Sequence, residues 1–236
     1  SLPEETGINT EFRNRPAITL CFTNEEARSA KANLILREKQ PEYDCRWLER
    51  DELLTMEPRI SPDAIGAAYA EGTADLEPYR FILAMAQAAE GLGATIQHGT
   101  VTGLSRHGDR VTGVVLGGEN EIACDNVVIA MGPWTGSSSG WLGVPIDIKP
   151  LKGQILRLRA PGAPYHCSVG WEGNYATTKP DGLVWAGTTE EKVGFDEQTT
   201  VDARDRIMAE LLRMLPVLAD AHLVQQTACL RPVTAD

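Results

Sequence analysis

Apolar and polar positions alternate along this chain with two periodicities, one typical of strands and one typical of helices. Thr23 followed by Glu26 forms a capping box that predicts a helix to about residue 39. Asp51 predicts the start of a short helix that Pro58 ends, and residues 201–215 predict a longer amphipathic one. Runs of strand type occur at residues 16–22, 64–70, 94–98, 100–104, 110–116, 121–124, 152–158, 166–169, 175–178, 183–188 and 224–230.

The block from residue 72 to residue 143 has its own order of elements. A turn leads to Pro78, which suits the first position of a helix. Residues 126–132 are almost wholly apolar and end in Gly132, as a strand buried on both faces does, and residues 133–140 have loop composition. The block therefore reads as helix, meander, buried strand and loop. The predicted helix carries an apolar face made of Ile82, Leu83, Met85, Ala86 and Ala89.

Composition and charge narrow the class of protein. The chain of 236 residues is 42% hydrophobic, which is enough for a sizeable core. Its formal net charge of -11 argues against a nucleic-acid partner, because no basic stripe exists to neutralise phosphates. No transmembrane run and no signal-peptide pattern occur. A cytoplasmic globular protein is expected.

The cysteines and histidines give little evidence for metal or thiol chemistry. The five cysteines form no C-x-x-C pair, and the four histidines show no zinc-site spacing. His166 and Cys167 are adjacent, so on a strand they point to opposite faces, which disfavours a thiol nucleophile. We expect no metal site and assign no catalytic base.

A succession of motifs says more than any single one. In chain order it resembles the D-amino-acid-oxidase-like family of FAD-dependent oxidoreductases, which includes glycine and sarcosine oxidases. The resemblance covers nearly the whole chain, loosely before Gly66, and depends on order and spacing. The motifs are Gly72-Thr-Ala-Asp-Leu-Glu-Pro78, Gly93-Ala-Thr-Ile96, Gly99-Thr-Val101, residues 127–134, Pro145-Ile146, Lys152-Gly-Gln154, residues 181–190, Leu215-Pro216 and residues 230–236.

The resemblance implies an α/β fold in which two domains interleave along the sequence. A substrate domain on a large mixed sheet would take residues 1–70 and 144–236, returning to the other domain at its end. A Rossmann-type FAD domain, incomplete in this chain, would take residues 71–143. The cofactor implied is FAD.

The resemblance also implies residues for the cofactor. The position matching Val101 meets the adenine through its backbone, and the turn of Ala130, Met131 and Gly132 lies beside the cofactor. Glycine suits that turn because it lets the backbone approach a large ligand. Trp134 follows in a loop near the flavin. An aromatic that simply packs under a loop remains an equal interpretation of Trp134.

Two residues are candidates for the substrate. Arg231 follows an apolar run and precedes Pro232, where a charge needs a partner, and its guanidinium can bind a carboxylate through two hydrogen bonds. The matching arginine in the amino-acid oxidases of this family holds the substrate carboxylate. A solvated surface group or an ion pair that closes a domain remains open for Arg231. Tyr175 is a weaker candidate, since Thr178 and Lys179 stand where relatives carry proline and arginine.

The function implied is hydride transfer to flavin from the carbon that bears an amine or, less favoured, a hydroxyl. The sequence has no G-x-G-x-x-G turn for the FAD pyrophosphate. We therefore expect a piece of a larger enzyme, cut before Ser1 and after Asp236, that binds FAD poorly alone. Open alternatives are a non-catalytic module and a relative that acts on a hydroxy acid or glycerol phosphate. The small-molecule substrate is expected to be an amine or amino acid, and the oligomeric state is open.

Overall fold

A computed structural model describes residues 1–37, 44–117 and 120–234. They fall into two compact units. The larger unit comprises Ser1–Ala88, Gln154–Thr189 and Gln198–Ala228, and the smaller unit comprises Ala89–Gly153, Glu190–Glu197 and Cys229–Asp236. The chain thus enters each unit several times. The assignment of residues 1–70 and 144–236 to substrate and of 71–143 to FAD stays a prediction.

Strands and helices alternate along the chain. The strands are β1 Arg13–Asn14, β2 Ala17–Cys21, β3 Cys45–Glu49, β4 Gly66–Ala70, β5 Ala74–Asp75, β6 Val101–His107, β7 Arg110–Leu116, β8 Glu121–Ala123, β9 Ile148–Arg159, β10 Ser168–Trp171, β11 Asn174–Thr178, β12 Val184–Gly187 and β13 His222–Thr234. The helices are α1 Leu2–Thr6, α2 Asn24–Arg37, α3 Arg50–Met56, α4 Pro78–Gly91, α5 Ser139–Leu142 and α6 Val201–Met214, with 3₁₀ turns at Gly132–Ser138 and Pro216–Asp220.

Eight of the strands form one mixed sheet in the order β13-β9-β12-β11-β10-β2-β4-β3. Strands β2 and β10 run parallel, with Ile18 opposite Val169. The pairs β2–β4, β3–β4, β10–β11, β11–β12 and β9–β12 are antiparallel. The predicted α/β fold on a large mixed sheet is confirmed.

The core of the larger unit lies between this sheet and α6. Thr200 caps the helix by accepting a hydrogen bond from the Ala203 amide, and Ile207, Leu211 and Met214 are buried along one face. Each such side chain contributes about 1.5–3 kcal/mol when fully buried. The predicted helix and its apolar face are confirmed. Buried sheet residues include Ile18, Leu20, Leu156, Leu158, Val169, Ala176 and Ala186.

The capping box predicted for α2 is also confirmed. The Glu26 amide donates to Thr23 Oγ1 at 3.2 Å, and Glu26 Oε2 accepts from the Thr23 amide at 3.2 Å. The predicted end near residue 39 lies outside the described residues. Asp51, in contrast, does not cap α3, because the helix already begins at Arg50 and has Glu49 at its N-cap position.

The smaller unit contains the predicted meander as the sheet β6-β7-β8. Two predicted strands beside it are wrong. Neither residues 94–98 nor residues 126–132 form a strand, and Val128 is 90% exposed rather than buried. An apolar run becomes a strand only where a neighbour satisfies its N–H and C=O groups, and the described residues provide no such neighbour for either run.

Two further expectations need correction. The stretch 133–140, predicted as a loop, forms a 3₁₀ turn and the start of α5. Its hydroxyls favour this, since Thr135, Ser138 and Ser139 each donate to the carbonyl three residues back at 2.7–2.8 Å. The apolar face of α4 is largely exposed, with Ile82 at 63%, and only Ala84 is fully buried. Within the described ranges, no helix has both the length and the apolarity to cross a bilayer.

Candidate active site

Arg231 lies inside β13, which extends beyond the predicted end of the apolar run to Thr234. The strand accommodates Pro232 because β13 is at the edge of the sheet, where a missing N–H is tolerated. Arg231 is half-buried, and its Nη2 atom lies 3.6 Å from Glu190 Oε1. The contact with Glu190 agrees with the expectation that the Arg231 guanidinium needs a partner. Its role toward substrate stays a prediction.

Glu190 begins a segment, residues 190–197, that sequence reasoning missed. The neighbouring Glu191 pairs with Lys152 through two backbone hydrogen bonds of 3.0 and 2.9 Å. The Lys152 side chain is 1% exposed, and its ammonium contacts Asp196 Oδ2 at 2.7 Å and Glu191 Oε2 at 3.5 Å. The hydrogen bond that Lys152 donates to the Asp196 carboxylate raises the pKa of Lys152 above its usual value despite burial. The sequence offers only a weak signal for this cluster: Lys152 begins the predicted strand 152–158, and an ammonium that becomes buried in a sheet requires carboxylate partners.

The same segment also contacts Trp134. The rings of Trp134 and Phe195 stack with centroids 5.8 Å apart and an interplanar angle of 24°. Trp134 remains 49% exposed. Residues 190–197 therefore bring two separately predicted candidates, Trp134 and Arg231, against one piece of chain within the smaller unit. The stacking agrees with the packing interpretation of Trp134, while its place near a flavin stays a prediction.

Tyr175 belongs to the larger unit. It lies on β11 opposite Gly187 and is half-buried. The residues that depart from the family pattern just beyond it have structural partners: Thr178 Oγ1 accepts a hydrogen bond from the Tyr165 amide at 3.0 Å, and Lys179 Nζ contacts Asp75 Oδ2 at 3.4 Å. A substrate role for Tyr175 stays a prediction.

Four of the residues predicted to contact the cofactor lie in the smaller unit: Val101, Ala130, Met131 and Gly132. Val101 opens β6 and lines a cavity of about 630 Å³, whose walls include the apolar side chains of Val114, Leu116 and Val127. Gly132 has φ of +53°, and a Cβ added there would meet nothing within 4 Å. A side chain is disfavoured at that φ, and the space beside the turn is open.

These features fit part of an FAD site. A cavity of this size, lined by both apolar and polar side chains, has room for an adenine ring, and an open glycine turn permits close approach of a flavin edge. The adenine end of FAD would be held by the main chain of Val101. The flavin end would be held by the turn of Ala130, Met131 and Gly132. The sequence of residues 1–236 contains no G-x-G-x-x-G turn, so this chain offers no pyrophosphate cradle of that type.

The thiols are poorly suited to nucleophilic chemistry. Burial raises the pKa of Cys167 to about 11, with the Glu57 carboxylate acting in the same direction, and burial likewise raises the pKa of Cys21 to about 11. His166 beside Cys167 is exposed while the thiol is buried, which agrees with opposite faces of the chain. Among the described residues no cluster of three metal-ligating side chains occurs.

The large mixed sheet, the open glycine turn and the cavity with room for a ring agree with the fold that the sequence resemblance implies. Comparison with known proteins identifies the family. The family model described as FAD dependent oxidoreductase matches residues 1–236, and the chain belongs to that family. The family's dependence on FAD confirms the predicted cofactor.

Individual relatives agree with this assignment. A hydrogen cyanide synthase subunit, HcnC, from Pseudomonas aeruginosa is 30% identical over all of this chain and 57% of its own length. The crystal structure of glycine oxidase from Geobacillus kaustophilus is 26% identical, with a TM-score of 0.91 over 100% of this chain and 63% of that one. An L-α-glycerophosphate oxidase from Mycoplasma pneumoniae, solved with FAD bound, shares the fold with a TM-score of 0.84 at 20% identity, over 96% of this chain and 63% of that one.

The chain spans about three fifths of the length of each of these three relatives. The activity and substrates of the whole protein are therefore proposals. The expectation that the chain was cut before Ser1 and after Asp236 stays a prediction as well.

Proposed function

We propose that the protein carrying this chain oxidises an amine or an α-amino acid, with FAD as the acceptor of a hydride from the carbon that bears the nitrogen. The observation that carries the proposal is Arg231, half-buried on an edge strand in a chain that matches the FAD dependent oxidoreductase family along its whole length. The similarity to a glycine oxidase supports an amino-acid substrate over other flavin chemistry.

The chain's own residues would contribute orientation. The Arg231 guanidinium presents parallel N–H groups that match the two oxygens of a carboxylate. The α-carbon is bonded directly to the carboxylate carbon, so a substrate held at its carboxylate presents its α-hydrogen over a restricted range of directions. FAD, when bound, supplies the electron sink for the reaction. None of the four histidines has an observed contact that makes it a general base, so we assign no proton-transfer role to them.

Arg231→Ala in the full-length, flavin-containing protein tests the anchor. We expect the KM for glycine or another amino-acid substrate to rise about tenfold to a hundredfold, because a charge-assisted hydrogen-bonded contact contributes about 1.5–3 kcal/mol. Arg231→Lys keeps the charge but loses the fork of donors, so it should restore only part of the affinity. Arg206→Ala, an exposed arginine on α6, is the matched control and should change nothing. A KM that stays at the wild-type value in Arg231→Ala would remove the carboxylate role.

The alternative of a non-catalytic module makes a different prediction. Such a protein would carry no flavin after purification and would show no flavin absorbance band when FAD is added. The alternative of a hydroxy acid or glycerol phosphate substrate has support at the level of fold, from a neighbour at 20% identity.

A further inference from the structure

Glu190 stands beside the proposed substrate anchor without forming a tight ion pair with it. The 3.6 Å between Arg231 Nη2 and Glu190 Oε1 exceeds the usual hydrogen-bond range of about 2.7–3.2 Å. The Glu190 side chain is 67% exposed and that of Arg231 41%. A cation and an anion thus lie side by side in the smaller unit, both partly exposed to solvent.

The position of Glu190 is built into the fold. Its neighbour Glu191 is tied to Lys152 by two backbone hydrogen bonds, and the buried Lys152 ammonium also contacts Asp196 at the other end of the segment. The stack of Phe195 on Trp134 adds an apolar contact to the same segment. Segment 190–197 is therefore fixed at several points, which holds the Glu190 backbone beside β9, and the Glu190 side chain reaches Arg231 of β13 from there.

Two opposite charges at this spacing match the chemistry of a zwitterion. In an α-amino acid the carboxylate and the ammonium are bonded to the same carbon, so two side chains in near contact can each face one of them. A hydroxy acid has no positive charge for a carboxylate to attract. A phosphate monoester has no positive charge and nearly two negative ones, so Glu190 would repel it.

We propose that Glu190 is a specificity-determining residue that binds the substrate ammonium while Arg231 binds the carboxylate, so that the site selects zwitterionic α-amino acids over hydroxy acids and phosphate esters. The bound ammonium must release one proton to solvent before the hydride leaves the α-carbon, so that the nitrogen lone pair can form the iminium product. This inference rests on the proposed function and narrows its substrate class. An exposed ion pair contributes little to stability, and the fixed segment keeps Glu190 within reach of Arg231, which favours a role in recognition of a ligand.

The test uses the full-length, flavin-loaded protein and the variants Glu190→Gln and Glu197→Gln. The second is a matched control, since Glu197 is an exposed glutamate at the end of the same segment. The substrates are glycine and sarcosine. Acetate, which has the carboxylate but lacks the ammonium, serves as a competitive inhibitor and reports binding separately from turnover. Flavin content and circular dichroism of each variant check that it is folded.

We expect Glu190→Gln to lower kcat/KM for glycine about tenfold, as for a site that loses one charged contact to its substrate. The inhibition constant of acetate should stay within about twofold or fall, since the repulsion between Glu190 and an anion is removed. Glu197→Gln should match the wild type in both measurements.

Three results would overturn the inference. If Glu190→Gln behaves like Glu197→Gln, the contact with Arg231 is a surface ion pair only. If glycine and acetate weaken equally, Glu190 acts by orienting Arg231 and does not bind the ammonium. If the wild-type flavin is reduced by glycolate or glycerol 3-phosphate and by neither amine, the proposed function fails together with the inference. Amine oxidation that is insensitive to Glu190 leaves the proposed function standing, so the two failures are distinguishable.

Discussion

At the scale of single residues, Asp75 joins three cations of the larger unit. Its carboxylate contacts Arg13 at 2.7 Å, the buried Arg15 at 3.4 Å and Lys179 at 3.4 Å. Burial acts to raise the pKa of Asp75, but the hydrogen bond from Arg13 and the charges of Lys179 and Arg15 outweigh it, and the net shift is downward from 3.8. Asp75 is therefore ionised in the native state at neutral pH and stabilises the fold there.

Replacing Asp75 by Asn should destabilise the protein by about 2–3 kcal/mol, because the buried Arg15 loses its counter-charge. In a chain of this size that corresponds to a fall in Tm of about 5–10 °C. The folded pKa is depressed, so the stabilisation is full above the unfolded value near 4 and is lost as the pH falls through the folded value. Thermal unfolding at pH 7 and at pH 3 measures this directly. Asp63→Asn, an exposed aspartate, is the control, and a difference between wild type and Asp75→Asn that is equally large at both pH values would contradict the account.

The contacts of single side chains could not be predicted from sequence where the contacting residue lies far away along the chain. Arg231 was selected from its local context, but the contact that defines its surroundings comes from Glu190, 41 positions earlier by numbering. Lys152 was noted only as part of a family motif, and its burial with Asp196 required the fold. Side-chain chemistry can be read from sequence, whereas the pairing of charges depends on which segments meet.

At the scale of elements, α6 owes part of its stability to its cap. Thr200 Oγ1 accepts from the Ala203 amide at 3.3 Å, and Gln154 contacts both the Thr200 amide and the Thr200 hydroxyl, at 2.9 and 3.2 Å. The cap therefore joins the helix to β9, where Gln154 is buried.

Thr200→Ala should cost about 1–2 kcal/mol in the free energy of unfolding, since an N-cap hydroxyl is lost and a buried amide loses a partner. Denaturant titration of the wild type and the variant gives this value. Thr200→Ser keeps the hydroxyl and should retain most of the stability. Equal losses for Ala and Ser would assign the effect to packing of the methyl group and contradict the role of the cap.

Elements with strong local signals were predictable. The Thr23–Glu26 capping box and Pro78 marked the beginnings of α2 and α4, and the spacing of Ile207 and Leu211 marked the buried face of α6. The strands predicted at 94–98 and 126–132 are wrong because strand formation depends on a pairing partner that a local apolar run does not specify.

At the scale of the whole molecule, the chain passes repeatedly between two compact units, and β9 and β13 each have residues in both. Local pattern predicts the individual strands and helices, while the order of weak motifs along the chain indicates the family and, through it, the α/β fold; the match over residues 1–236 confirms the family. The division between units could not be read from local pattern, because it depends on contacts between segments that are distant in sequence.

The central claim is that the protein is a flavoenzyme that oxidises amines or amino acids. Anaerobic mixing of the full-length, flavin-containing protein with glycine or sarcosine, followed by the absorbance of oxidised flavin, tests it most directly. The account predicts that the band is bleached by the amino acid and unchanged by an equal concentration of glycolate or glycerol 3-phosphate. Bleaching by glycolate or glycerol 3-phosphate without bleaching by either amine, or a purified full-length protein that binds no flavin, would contradict it.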